Sequence, residues 1–147
     1  MKSKIVIYTI ALVLISAAVQ AQVINIPEET KSDFAKRYPD AKSTKWTNKV
    51  SNYQCEFVQD GILCKAVYTI EGDWKYTEKL IERASVPADV TESLSKSKYR
   101  DWSVKSLVWI ENVEKQQLYR YEVRKGVQKK YIFFDAKGVL IKENTSI

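Results

Sequence analysis

What chemistry this chain could carry rests on carboxylates, lysines and two cysteines, because none of its 147 residues is histidine. That absence removes Ser-His-Asp and Cys-His nucleophiles, imidazole general bases and nearly every catalytic zinc site. Four glycines in the whole chain leave none for a phosphate-cradling loop. Glu56 and Glu122 occupy equivalent places between aromatic neighbours, in Tyr53-x-Cys-Glu-Phe57 and Tyr119-x-Tyr-Glu-Val123. Two carboxylates can form a glycosidase pair or hold a hard cation. Strand residues paired with lysine across a hairpin, Glu56 with Lys65, account for them more simply. Asp135-Ala-Lys-Gly138 has the outline of a calcium-loop fragment, and a β-turn explains it fully. The chain is therefore read as a non-enzyme, with no catalytic residue, cofactor or metal ligand assigned.

The two cysteines, Cys55 and Cys64, flank a segment with Asp60-Gly61 at its centre, the signature of a two-residue hairpin turn. In that register Cys55 lies opposite Ala66, and Phe57 opposite Cys64. The cysteines share a face but stand diagonally, farther apart than a bridge prefers. An even count favours a disulfide in an oxidising compartment, and a bulge or longer loop would bring the sulfurs together. Two buried thiols are the alternative.

Aromatic side chains are the richer material: the chain has four Trp and nine Tyr. Strand alternation sends neighbours to opposite faces, so one set of rings meets a helix and the other meets solvent. Exposed Trp and Tyr among lysines and arginines would make a protein-binding surface. Trp46, Trp74, Tyr76 and Trp109 are the candidates for that surface. On this reading, replacing Trp74 or Trp109 with Ala leaves the fold nearly unchanged.

The elements that must position these residues come in two similar runs. Ile26-Pro27-Glu28-Glu29 opens a helix with Pro and acids at its start, Lys36 and Arg37 near its end and Pro39 as a stop. Ile26, Thr30, Phe34 and Tyr38 form its inner stripe. Val86-Pro87-Ala88-Asp89 opens a second helix with Val86, Val90 and Leu94 inside. Each helix is followed by about four strands with hairpin-type turns at regular spacing, which argues for antiparallel pairing. Tyr53-x-Cys-Glu-Phe57 matches Tyr119-x-Tyr-Glu-Val123 at an offset of 66, as Gly72 matches Gly138. The second run has a longer first loop, around Glu111 to Gln117. The expected architecture is α+β: two tandem units, each a helix covering one face of a four-stranded antiparallel sheet. The units span residues 22–80 and 81–147. Their sheets either stay separate or join edge to edge.

Ahead of the units lies a segment with the marks of a cleavable signal peptide. Lys2 and Lys4 form a basic start, Ile5 to Ala18 carries no charge, and Val19-Gln20-Ala21 fits a cleavage site. The run is shorter than the ~20 residues that span a bilayer. Cleavage after Ala21 leaves 126 residues, which is one ordinary domain. Formal charge drops from +6 to +4 as Lys2 and Lys4 are lost. Basic clusters are short, at Lys96, Lys98 and Arg100 and at Lys129 and Lys130. They read as solvated faces, not as a nucleic-acid stripe. The expected location is the periplasm or the medium, with no stable membrane anchor after cleavage.

Phe34-x-x-x-Tyr-Pro-Asp-Ala-Lys42, then Lys45-Trp46, Tyr53-x-x-Glu-Phe57, an x-Gly turn and a closing Gly-x-Trp strand together resemble the PepSY-like, β-lactamase-inhibitor-like family of exported bacterial proteins. The likeness covers essentially the whole mature chain. The second unit departs from the pattern at Arg100 and Trp102. The resemblance implies a fold like that of the β-lactamase inhibitory protein, with sheets forming a concave surface, and it implies no established activity. The expected function is an exported, non-catalytic binding module, an inhibitor or modulator of another exported or envelope protein. The alternative is a periplasmic binder of a small molecule or glycan on the concave sheet face.

Overall fold

The computed structural model describes residues 25–145. The expected signal peptide, residues 1–21, lies outside them. Helix α1 (Glu28–Arg37) is followed by strands β1 (Lys42–Lys49), β2 (Asn52–Gln59), β3 (Ile62–Tyr68) and β4 (Trp74–Leu80). A short 3-10 turn (Arg83–Ser85) leads into α2 (Ala88–Lys96), then β5 (Ser103–Asn112), β6 (Gln117–Lys125), β7 (Gln128–Asp135) and β8 (Leu140–Thr145).

Both helices start directly after a proline with φ of −54°, pre-set for the first turn. Glu28 and Glu29 sit at the positive end of α1, and Lys36 and Arg37 at its negative end. The expected helices ran longer, the first to Pro39 and the second to Tyr99-Arg100-Asp101. Tyr38 leaves the helical region at φ −130°, because the ring of Pro39 disfavours helical backbone in the residue before it. The second helix stops at Lys96, where the Ser97 hydroxyl donates to the Leu94 carbonyl at 2.8 Å and accepts from the Tyr99 amide at 3.0 Å. Those bonds turn Tyr99 and Trp102 back against the sheet, where their rings meet edge to face at 5.2 Å.

The eight strands form one antiparallel sheet in the order β1 to β8, each paired with its sequence neighbour. The two four-stranded halves are joined edge to edge through β4 and β5, with Tyr76 opposite Asn112 and Leu80 opposite Val108. Directly opposed residues point to the same face, so the register carries one face across all eight strands. Cys55, Ala66, Thr77 and Glu111 stand in one such row, and Trp109, Tyr119 and Phe134 in another. Both helices pack on that face.

Two cores follow. Phe34 of α1 and Tyr38 just after it meet Cys55, Phe57, Cys64, Ala66 and Tyr68. Val90 of α2 meets Tyr119, Tyr121, Val123, Ile132 and Phe134, with Val86 and Leu94 beside it. A turn glycine seals each. A Cβ on Gly138 would stand 2.5 Å from the Asp89 carbonyl oxygen of α2, and one on Gly72 2.5 Å from the Thr30 hydroxyl of α1. Both glycines also have positive φ, which a side chain would strain.

Candidate binding surface

The face away from the helices has a floor of its own. Val108, Ile110 and Phe133 are buried there, with Tyr76, Leu118 and Tyr131 half-buried around them. They come from β4, β5, β6 and β7, and among the described residues no helix lies over them. Between Tyr76, Ile110, Leu118 and Phe133 opens a hollow of about 200 Å³, with Glu78, Arg120 and Lys142 also on its wall.

Glu78 is the one charged side chain among the described residues that is buried, at 6% exposure. Arg120 grips it with both terminal nitrogens, Nη2 to Oε2 at 3.1 Å, and Lys65 Nζ reaches the same Oε2 at 3.1 Å. A buried carboxylate held by a bidentate guanidinium and an ammonium keeps its charge compensated. The Arg120 guanidinium lies 5.2 Å from the centre of the Tyr131 ring, Lys129 Nζ 4.8 Å from the same ring, and Lys142 Nζ 4.4 Å from the Phe133 ring. Cations over aromatic faces attract, so these side chains shade the apolar floor without covering it. Apolar centre, aromatic walls and a charged rim are the composition of a protein interface.

Of the four candidate rings, Tyr76 stands on this open face, and the three tryptophans are on the helix side instead. Trp46 packs edge to face on Phe34 at 5.3 Å and lies 5.8 Å from Tyr68. Trp74 carries the Arg37 guanidinium 4.2 Å above its ring, and its Nε1 donates to the Thr77 hydroxyl at 2.9 Å. Thr77 also hydrogen-bonds the Tyr38 hydroxyl. Trp109 packs against the second core, with Lys79 Nζ 5.3 Å from its ring. The cause is parity. Trp109 stands opposite Lys79, and Trp74 opposite Tyr68, both helix-side positions. A bulge before Tyr76 places Trp74 and Tyr76 on opposite faces, although their spacing of two assigns them to one.

The carboxylates do not converge. Glu56 and Glu122 are both on the open face, but four strand spacings separate β2 from β6, about 19 Å. A glycosidase pair needs roughly 5 to 9.5 Å. Glu56 does face Lys65 in register, yet the Lys65 ammonium goes to Glu78 on the other side. Burial alone would raise the Glu122 carboxyl, but Arg124 at 2.8 Å and Lys129 at 3.7 Å outweigh it and hold the group below its usual range. Asp135 spends its carboxylate on its own turn, accepting from the Lys137 and Val139 amides at 2.9 Å each. Among the described residues no three His, Cys, Asp or Glu side chains cluster as metal ligands.

Cys55 and Cys64 are free and buried, in place of the disulfide that an even count favoured. Their register is the diagonal one, Cys55 opposite Ala66 and Phe57 opposite Cys64. The two-residue turn that fixes it holds Asp60 and Gly61 at φ of 52° and 77°. Burial pushes the Cys55 thiol up to about 12 and raises Cys64 as well. A thiol so shifted is a poor nucleophile at neutral pH.

A second recess, of about 800 Å³, lies on the helix side between α1 and the β4–β5 seam. Its wall alternates acids and bases, including Asp33, Arg37, Asp73, Lys79 and Glu111, and the one ring that lines it besides Tyr38, Trp74, already carries Arg37. The residues that sequence reasoning missed are Glu78, Arg120, Leu118 and Phe133. The signal was present in the alternation of Leu118-Tyr119-Arg120-Tyr121: if both tyrosines are core, Leu118 and Arg120 face outward together.

No family model matches the chain, and no curated protein does. Among solved structures, a DUF2874 family protein from Bacteroides uniformis is 22% identical with a TM-score of 0.75, covering 82% of this chain and 90% of that one. A BLIP-like protein from Bacteroides fragilis is 23% identical with a TM-score of 0.75, covering 84% of this chain and 89% of that one. A Bacteroides eggerthii protein described provisionally as periplasmic is 23% identical with the same TM-score, covering 82% and 89%. Similarity at this level is a likeness of fold: two helices on one face of an eight-stranded antiparallel sheet, the BLIP-like α+β architecture.

Proposed function

We propose that this chain is an exported, non-catalytic binding module whose open sheet face docks another exported or envelope protein and modulates or inhibits it. The observation that carries this reading is the aromatic and apolar floor of β4 to β7, which no element among the described residues covers. The BLIP-like fold and the provisional periplasmic assignment of a structural neighbour support it. Among the described residues no helix is long and apolar enough to cross a membrane. The alternative, a small-molecule or glycan site on the same face, has less support. Its hollow of about 200 Å³ falls below the roughly 300 to 1,000 Å³ of drug-sized ligand pockets. Capture from envelope and secreted fractions tests the proposal. A partner retained reproducibly by the native chain should be lost when Tyr76 and Tyr131 are both replaced by Ala. Retention of that partner by the double variant would overturn the proposal.

A further inference from the structure

Resting on that open-face reading, we infer that the partner presents an acidic surface around a protruding aromatic or branched apolar side chain. The open face is cationic. At its cross-paired positions β1 and β3 contribute Lys42, Lys45, Lys49 and Lys65. Strands β6 to β8 contribute Arg120, Arg124, Lys129 and Lys142. Against these eight stand four carboxylates, Glu56, Glu78, Glu122 and Asp135. The chain has 24 basic and 18 acidic residues, and Lys2 and Lys4 precede the described part, which leaves a net +4. The open face alone carries an excess of that size.

The distribution matters as much as the sum. Lys65 and Arg120 are spent on Glu78, while Arg124 and Lys129 are spent on Glu122. Among the described residues Lys42, Lys45, Lys49 and Lys142 form no salt bridge, although Lys45 stands opposite Glu56 in register. Three of them line the β1 edge, and Lys142 stands at the β8 edge. The apolar floor lies between. The hollow of about 200 Å³ is somewhat larger than the ~150 Å³ apolar cavity that holds benzene, so it has room for one ring. A partner that matches this face has carboxylates at its margins and an apolar anchor at its centre. Matching potentials steer encounter and reject wrongly charged partners.

Amide chemical-shift mapping on the chain from Gln22 to Ile147 tests this. The probes are three capped heptapeptides with a central Phe, flanked on both sides by acidic, lysine or serine residues, and a sulfated tetrasaccharide. The acidic peptide should bind most tightly, and its shifts should centre on Tyr76, Ile110, Leu118 and Phe133. The double variant Lys129→Glu/Lys142→Glu should bind it about tenfold more weakly or worse. Should that variant not fold, raising salt on the native chain makes the same point, since exposed charge pairs weaken as salt screens them. Equal or tighter binding of the serine or lysine peptide at the open face would overturn the acidic-partner inference and leave open-face docking standing. Preference for the tetrasaccharide would overturn it in favour of a glycan. Shifts that map to the helix side with every probe would overturn both readings.

Discussion

The two faces of this sheet are built from the same residue types and put to opposite uses. On the helix side, aromatic rings are locked among one another: Phe34 meets Phe57 edge to face at 5.0 Å, Tyr38 lies 4.7 Å from Phe57, and Tyr121 meets Phe134 at 6.1 Å. Among its polar groups Thr77 is used internally, between Tyr38 and Trp74. On the open face the rings sit under cations, and the central charge, Glu78, is held by side chains that still reach solvent, Lys65 at 32% and Arg120 at 20% exposure. The helix side spends its aromatics on stability. The open face keeps them half-available, as a docking surface would.

Substitutions separate the two uses. Phe57→Ala, at the centre of the first core, should cost about 4 kcal/mol in urea unfolding, the loss expected for a large buried ring. A loss below 1 kcal/mol would mean the α1 face is not a packed core. Glu78→Ala strands two cations on the open face and should cost about 3 kcal/mol, the low end for breaking a buried pair because both partners touch water. Gly138→Ala should cost about 2 kcal/mol, from its positive φ and the close Asp89 carbonyl. Trp109→Ala should also cost about 2 kcal/mol, since its ring packs against the second core while remaining partly exposed. This reverses the expectation drawn from its type alone. Tyr76→Ala should cost about 1 kcal/mol, in keeping with its half-buried place on the floor.

Alkali offers a test of the helix-side thiols. The folded state keeps the Cys55 proton up to about 12, whereas the unfolded chain releases it near the ordinary 9.0. Above 9 the unfolded chain therefore holds fewer protons, so stability is full below pH 9 and falls as pH rises toward 12. Cys64 shifts in the same direction. Urea midpoints should drop between pH 8 and pH 10.5, and Cys55→Ala should lessen that drop. A flat profile in the native chain would place the thiols in contact with water. Both thiols should react under denaturing conditions without reductant.

Much of this was legible in the chain. Pro27 and Pro87 marked the helix starts, the stripe Ile26, Thr30, Phe34 and Tyr38 proved to be the buried one, and Asp60-Gly61 fixed the cysteine register. Loop length also read correctly, with the β5–β6 connection longer than that between β1 and β2. What did not read was parity. Which face of a strand meets the helix depends on the register of its neighbours, and one bulge between Trp74 and Tyr76 inverts the answer. Residue type then misled, because Trp is as much a core residue as an interface one. The join of β4 to β5 was open for the same reason: it depends on pairing across some thirty residues, not on any local signal.

The central claim is that docking lives on the open face and stability on the other. It is tested most directly by one pairing of variants, Tyr76→Ala/Tyr131→Ala against Trp109→Ala, each scored for thermal midpoint and for retention of the captured envelope partner. The expected result is that both variants stay folded with comparable midpoints, and that the open-face variant loses the partner while Trp109→Ala keeps it. The opposite assignment, with the partner lost on removing Trp109 and retained without the two tyrosines, would contradict the account.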